Sequence, residues 1–328
     1  MKILSCEIRG GDVRATLLAE AEDAARFGGV RAAVEGCIRA FAAEKGLPPL
    51  ALPRVTRMDE RADGEVEFDF DAAVPPKVEL GKYLGLEVYV PSDETPDLPV
   101  LLAASETLRA EIPETYVSRK IDGLVRQRME DVVRRPGFSA LTDMYAVLRA
   151  ADAALHCGRS DGELWDMALA AADEANGSRF RARSAEDIVN AAAAALFPEG
   201  AEERKIEVVA DCLARRAEDK RGRSLEQLAE ESFASYLRMA GKTMDSLREE
   251  FRPQATDLVR IDLLIDEVAR REGLAISDEE FDGALAKIAE MYDMQPGEVL
   301  AGIGEEVLRA QLLRDKARAM IVDSAKTF

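Results

Sequence analysis

The chain has 328 residues, enough for about two domains, and is 47% apolar, 33% charged and only 5% aromatic, a composition of folded, charge-coated and helix-rich proteins. Its 44 basic and 63 acidic side chains leave a formal net charge of −19, a field that repels phosphate backbones and anionic lipid surfaces, so neither nucleic acid nor membrane is an expected partner. No apolar run approaches the roughly 20 residues of a membrane-spanning helix, and Glu7 and Arg9 interrupt the start before an apolar region of signal-peptide length forms; the expected location is the cytoplasm.

In chain order, the first 90 residues predict a small α+β head. Ile3 to Ile8 and Val13 to Leu18 flank Gly10-Gly11, a dipeptide suited to the positive φ angles of a tight hairpin. Ala21 to Lys45 places Val34, Ile38 and Phe41 at helical spacing after a break at Gly28-Gly29, with Gly46 as its stop. Val66, Phe68 and Phe70 alternate with Glu67 and Asp69, which predicts a strand with one buried face, and Tyr83 to Val90 offers a last extended run. Three prolines and several acids between Pro91 and Pro99 read as the start of a linker over 91–110.

From Leu101 onward the pattern is helical almost without relief, so the expected fold is an α+β head followed by an extended all-α region, mainly α overall. Pro113 stands at a helix start, with Val117, Ile121, Leu124 and Val132 on about one face. Ser160 with Glu163, Ser224 with Gln227 and Ser277 with Glu280 have capping-box spacing. Apolar stripes recur at Leu258, Ile261, Ile265 and Val268, at Phe281, Leu285, Ile288 and Tyr292, and at Leu308, Leu312, Ala319 and Val322. Between them, Leu141 to Leu155, Leu164 to Ala172 and Ile188 to Leu196 predict further helices, and no fixed-period repeat indicates a solenoid.

The vocabulary of catalysis is sparse. There is no phosphate-binding glycine loop, dinucleotide fingerprint, zinc-protease motif or nucleophile elbow. Cys6, Cys37, Cys157 and Cys212 are dispersed, as reduced structural thiols are, and the single histidine, His156, reads as a helix-terminal residue. The acidic runs Asp278-Glu279-Glu280 and Glu305-Glu306 lie at helix starts, where negative charge complements the dipole. No catalytic residue, metal or cofactor is therefore expected.

Local matches point to a family. The segment Phe68-Asp-Phe-Asp-Ala-Ala-Val-Pro-Pro-Lys-Val-Glu-Leu-Gly-Lys-Tyr-Leu-Gly-Leu-Glu-Val88 resembles the passage from the N-terminal domain into the linker of trigger factor, the ATP-independent bacterial chaperone that receives nascent chains. Residues 111–124, 241–255, 272–280 and 291–298 are similar to segments of its C-terminal domain, and order and spacing agree over roughly half the chain. Two departures stand beside the matches. The FKBP-type prolyl isomerase domain of the family has no room between the matched segments, where only Ser92 to Ala110 intervene. The ribosome-docking signature also lacks a counterpart: Arg26 to Arg31 does not match it, and residues 1–90 hold 12 basic against 16 acidic side chains.

The resemblance implies a reduced head over 1–90, a linker over 91–110, and a helical chaperone-like domain over 111–328 with a helical insertion at about 136–223. The implied activity is that of a holdase for unfolded or nascent polypeptides, without isomerase activity or ribosome docking; the alternative is a dedicated interaction or assembly module for one partner. A surface for unfolded chains needs scattered apolar side chains on a rigid, charged frame, and methionine adapts well to varied partners. Val117, Ile121, Leu124, Met291 and Met294 are the candidate client contacts, and a homodimer is compatible with the pattern.

Overall fold

The computed structural model describes residues 1–20, 23, 29–61, 64–91, 95–135, 138–176 and 185–328. Its head is an antiparallel sheet of order β1-β2-β4-β3, built from β1 (Lys2–Arg9), β2 (Asp12–Ala19), β3 (Ala51–Glu60) and β4 (Val66–Ala73). Gly10 and Gly11, at φ 55° and 88°, make the turn that their sequence signals. Val13, Leu17, Phe68, Phe70 and Ala72 bury one sheet face, and α1 (Val30–Glu44) lays Val34, Ile38 and Phe41 on it, with the Phe41 and Phe70 rings edge-on at 5.5 Å. That helix ends in a left-handed glycine: Gly46 at φ 65° lets the Leu47 N–H reach the Ala42 carbonyl and its own N–H reach Ala43. Strand β3 has no counterpart in the sequence reading. The ribosome-docking candidate at Arg26 to Arg31 falls partly outside the described residues, since 26–28 are among those not described.

The helical pattern that the sequence shows from Leu101 begins four residues earlier, inside the proline-marked stretch, as α2 (Asp97–Glu106). Pro96 caps it and Pro99 occupies its first turn, where the missing N–H has no intrahelical acceptor anyway. The helix is held by burial of Val100, Leu101 and Ala104. They share a core with Val259, Leu264, Ile265 and Val268 of α9 (Met244–Arg271) and with Ala317 and Ile321 of α12 (Glu305–Ser324). A short parallel pair, β5 (Glu87–Val88) with β6 (Lys326–Thr327), closes beside it. On α12 the buried positions are Leu308, Ala317 and Ile321, not the Ala319 of the sequence stripe, which is exposed.

The chain divides into two compact units. The first joins residues 1–120 to 252–328; it contains the head, the core around α2, and a three-helix group formed by α10 (Asp278–Tyr292), α11 (Pro296–Ile303) and the start of α12. The first turns of α3 (Glu114–Val133) are tied to α9 within this unit by Glu114–Arg252 (2.6 Å) and Lys120–Asp262.

The second unit is the continuous stretch 121–251. It holds α4 (Phe138–Ala154), α5 (Asp161–Asn176), α6 (Ala185–Leu196), α7 (Glu203–Arg221) and α8 (Leu225–Met239) around Tyr145, Leu148, Leu164, Trp165, Leu196 and Phe233. Buried Asp152 accepts from the Arg159 guanidinium at 2.9 Å and from its backbone N–H at 3.2 Å. Arg216 on α7 joins Asp143 of α4 to Glu231 of α8. All three capping boxes read from the sequence are formed. The molecule is thus mainly helical with a small N-terminal α+β part.

Candidate functional site

The titratable groups of the described residues form no cluster of three or more His, Cys, Asp and Glu side chains able to hold a metal ion. His156 is exposed at φ 53° just past the end of α4, the helix-terminal position its sequence suggests. Burial pushes the Cys37 thiol up to about 11 and raises that of Cys212, the opposite of what a reactive thiolate needs. What the molecule displays instead is apolar surface on a rigid support.

One such display, of five exposed apolar side chains, lies between residues 291 and 307. The α10 helix starts at the Ser277–Glu280 capping box and buries Phe281, Leu285 and Ala289 against Val299 and Leu308. It is stopped by Asp293 in the left-handed conformation, whose successor Met294 donates its N–H to the Ala289 carbonyl at 2.9 Å. Gln295 and Pro296 then open α11, and Gly304, at φ 86°, separates α11 from α12. These two sharp reversals leave apolar side chains outside the small core: Met291 is 74% exposed, Tyr292 66% and Val307 61%, with Met294 and Ile303 also exposed.

Charged side chains fix this group from its flanks. The Arg309 guanidinium stacks over the Phe281 ring at 4.3 Å and donates to Glu305 at 2.9 Å and Asp278 at 2.8 Å. Lys316 donates to Glu280 at 2.6 Å and to the Ala275 carbonyl at 3.1 Å. The Glu280 carboxyl is consequently held below its ordinary value, chiefly by Lys316 and then by the Ser277 backbone N–H. Adaptable thioethers and a tyrosine thus stand on a frame pinned by ion pairs and surrounded by acids, an arrangement that can hold apolar polymer segments through many shallow contacts and stay soluble.

The five candidate contacts divide cleanly. Met291 and Met294 are exposed, whereas Val117 and Ile121 are 6% and 1% exposed and serve packing. Leu124 is half-buried against the core of the second unit. The correction has a simple cause: a helical apolar stripe is the same pattern whether it faces a core or a partner. The sequence reading assigned Tyr292 to a packing stripe and passed over Ile303 and Val307. A usable signal existed in the phase of Val307, one residue off the Leu308–Leu312 spacing, directly after Gly304-Glu305-Glu306.

Comparison with known proteins finds similarity to trigger factors over part of the chain. A family described as bacterial trigger factor protein (TF) C-terminus matches residues 178–323, which takes in both the 291–307 group and residues 178–223 of the segment set apart as an insertion. The trigger factor of Carboxydothermus hydrogenoformans is 34% identical over 93 residues, 28% of this chain and 22% of that protein. That of Desulforudis audaxviator is 30% identical over 138 residues, 40% and 32% of the two chains, and that of Maridesulfovibrio salexigens 34% over 134 residues, 40% and 28%. The chain therefore spans between about a fifth and a third of the length of these curated relatives. A solved chain from work on promiscuous substrate recognition by the trigger factor chaperone aligns over 98% of this chain and 99% of its own, at 14% identity and a TM-score of 0.33.

Proposed function

We propose, from the premise that this chain belongs to the trigger factor family by its helical C-terminal part, that it is an ATP-independent holdase for unfolded or nascent polypeptides. Residues 1–90 serve as its head and residues 111–328 as its client-holding body. The observation that carries the proposal is the exposed set Met291, Tyr292, Met294, Ile303 and Val307 on an ion-pinned three-helix group. Clients are held by several weak apolar contacts and leave spontaneously, which suits a chain without a nucleotide-binding motif. The proposed site of action is the cytoplasm; separately, no helix among the described residues is long and apolar enough to cross a membrane.

The activity excludes prolyl isomerisation and ribosome docking. Supporting this, the stretch between β5 and α3 that would have to accommodate an isomerase domain contains the ten-residue helix α2, packed into the first unit. The acidic head supports the second exclusion, since docking on ribosomal RNA draws on basic side chains.

The test is light scattering from a chemically denatured globular protein diluted into buffer without nucleotide. The full chain is expected to delay aggregation at a few-fold molar excess, and the double substitution Met291→Glu with Tyr292→Glu to remove most of the delay while leaving the thermal midpoint in place. Protection that is absent against every unrelated denatured protein, alongside tight binding of one folded partner, replaces the holdase by a dedicated interaction module.

A further inference from the structure

The apolar face of the head sheet is wider than the helix that roofs it. Four strands at about 4.8 Å spacing span nearly 20 Å, whereas one helix with its side chains covers about 10 Å. Among the described residues, helix α1 accordingly covers β2 and β4 and leaves the inward face of β3 exposed. The pairing register identifies that face: Val55 stands opposite Phe70 and Met58 opposite Phe68, both partners being buried core residues. A register shift between Val55 and Arg57 inserts one residue, so that Met58 and not Arg57 returns to the inward side, while Arg54 and Arg57 stand opposite Asp71 and Asp69 on the outer face. Yet Val55 and Met58 are 38% and 49% exposed. Between them and α1 runs an open groove of about 1060 Å³, lined by Val34, Ile38, Leu47, Leu50, Val55 and Met58.

We infer that this groove receives an amphipathic helix from a partner protein, packed beside α1 as a second helix of the roof. The edge of β3 argues against an added strand. Pro53 lacks an N–H, Leu52 is left-handed at φ 53°, and two register shifts break the regular row of donors and acceptors that strand addition requires. The rim specifies the charges of the helix. On the α1 side Arg31, Glu35 and Arg39 line the groove at four-residue spacing; Arg31 pairs with Glu35 at 3.6 Å, while Arg39 has no ion-pair partner among the described residues. On the β3 side Glu60 is likewise without one among the described residues. The complementary helix carries an acidic flank toward Arg39 and a basic flank toward Glu60, with leucine-like residues between them at spacings of three and four. This inference stands apart from the holdase proposal, whose exposed residues lie on α10 to α12.

The experiment uses the full chain and a fluorescein-labelled 16-residue peptide with leucines at helical spacing, glutamates on one flank and lysines on the other. A second peptide of identical composition places its leucines at alternate positions. Anisotropy titration is expected to give saturable one-to-one binding of the first peptide and at least tenfold weaker binding of the second. Met58→Glu and Val55→Glu, both at exposed positions, are each expected to weaken the first peptide at least tenfold, and Leu225→Glu, an exposed position outside the groove lining, to leave its binding unchanged. Equal binding of the two peptides, insensitivity to both groove substitutions, or no binding overturns the inference. So does sedimentation showing a dimer of the free chain that Met58→Glu dissociates, which assigns the groove to a second copy.

Discussion

The carboxylate of Asp12, at the start of β2, accepts the backbone N–H of Thr115 at 2.7 Å and that of Glu114 at 3.1 Å, so the first hairpin of the head caps a helix that begins more than a hundred residues later. Two of the orphan amides of α3 are thereby satisfied from outside the helix, and a negative charge meets the positive end of its dipole. Gly11 makes the approach possible, since a Cβ there would lie 2.8 Å from Pro113 Cγ at a backbone φ of 88°. Asp12→Ala is expected to cost about 1 kcal/mol in urea denaturation, and Asp12→Asn less, because Asn also caps well.

Beside that cap, Asp71 of β4 accepts from Arg119 of α3 at 2.9 Å and from Arg54 of β3 at 3.3 Å. Burial pushes the Asp71 carboxyl up, but the two guanidinium groups outweigh it and hold it below the ordinary value. A carboxylate with a depressed folded pKa contributes stability that is fully present above its unfolded pKa of about 3.9 and lost as the pH falls through the folded one. The stability gap between the unaltered chain and Asp71→Asn is therefore expected to be constant from pH 7 to about 5 and to close below about 4. A gap that widens on acidification contradicts this assignment.

In the second unit, Arg216 is only 11% exposed at its side chain and bonds Asp143 at 3.1 Å and both Glu231 oxygens at 2.8 Å. Lys220 and Arg223 back up the same two acids. Arg216→Ala is expected to lower stability by about 2 kcal/mol through partly desolvated carboxylates that lose their main partner, less than for an isolated buried pair. Thermal denaturation of this variant against Arg223→Ala, whose side chain is 36% exposed, is expected to rank Arg216 well above Arg223.

The thiols offer a check on the packing of both units. Cys6 and Cys157 are exposed, while Cys37 and Cys212 are buried. Iodoacetamide at pH 8 is expected to modify Cys6 and Cys157 in the folded chain, and the other two only after denaturant is added, as read by peptide mass spectrometry. Rapid native labelling of Cys37 is incompatible with the roof of α1 over the head sheet.

Local signals carried far in this sequence. Gly10-Gly11, the alternation at Val66–Phe70 and the three capping boxes each encode their element within a few residues, and each element forms. Strand β3 escaped because its outer residues Arg54 and Arg57 are polar, Pro53 interrupts it, and its bulge destroys the period-two pattern. Only the start of helix α2 is hidden in the sequence, because prolines at its cap and first turn resemble a linker, and the apolar residues that hold it find their partners on α9 and α12, more than 150 residues away. The exposed surface was legible only in part: Met291 and Met294 stand out beside the left-handed Asp293, but Ile121 is as apolar as they are and only the tertiary structure buries it.

The two units also differ in when they can be finished. Residues 121–251 form one uninterrupted stretch, so every partner in that core is present once residue 251 has been synthesised. The first unit is split around it, and the partners of Val100, Leu101 and Ala104 on α9 and α12 are translated only after it. Closing that core brings together the most distant parts of the sequence, the slow kind of contact in folding. During synthesis the stretch 121–251 can therefore be native while the apolar side of α2, made before it, still waits for α9 and α12.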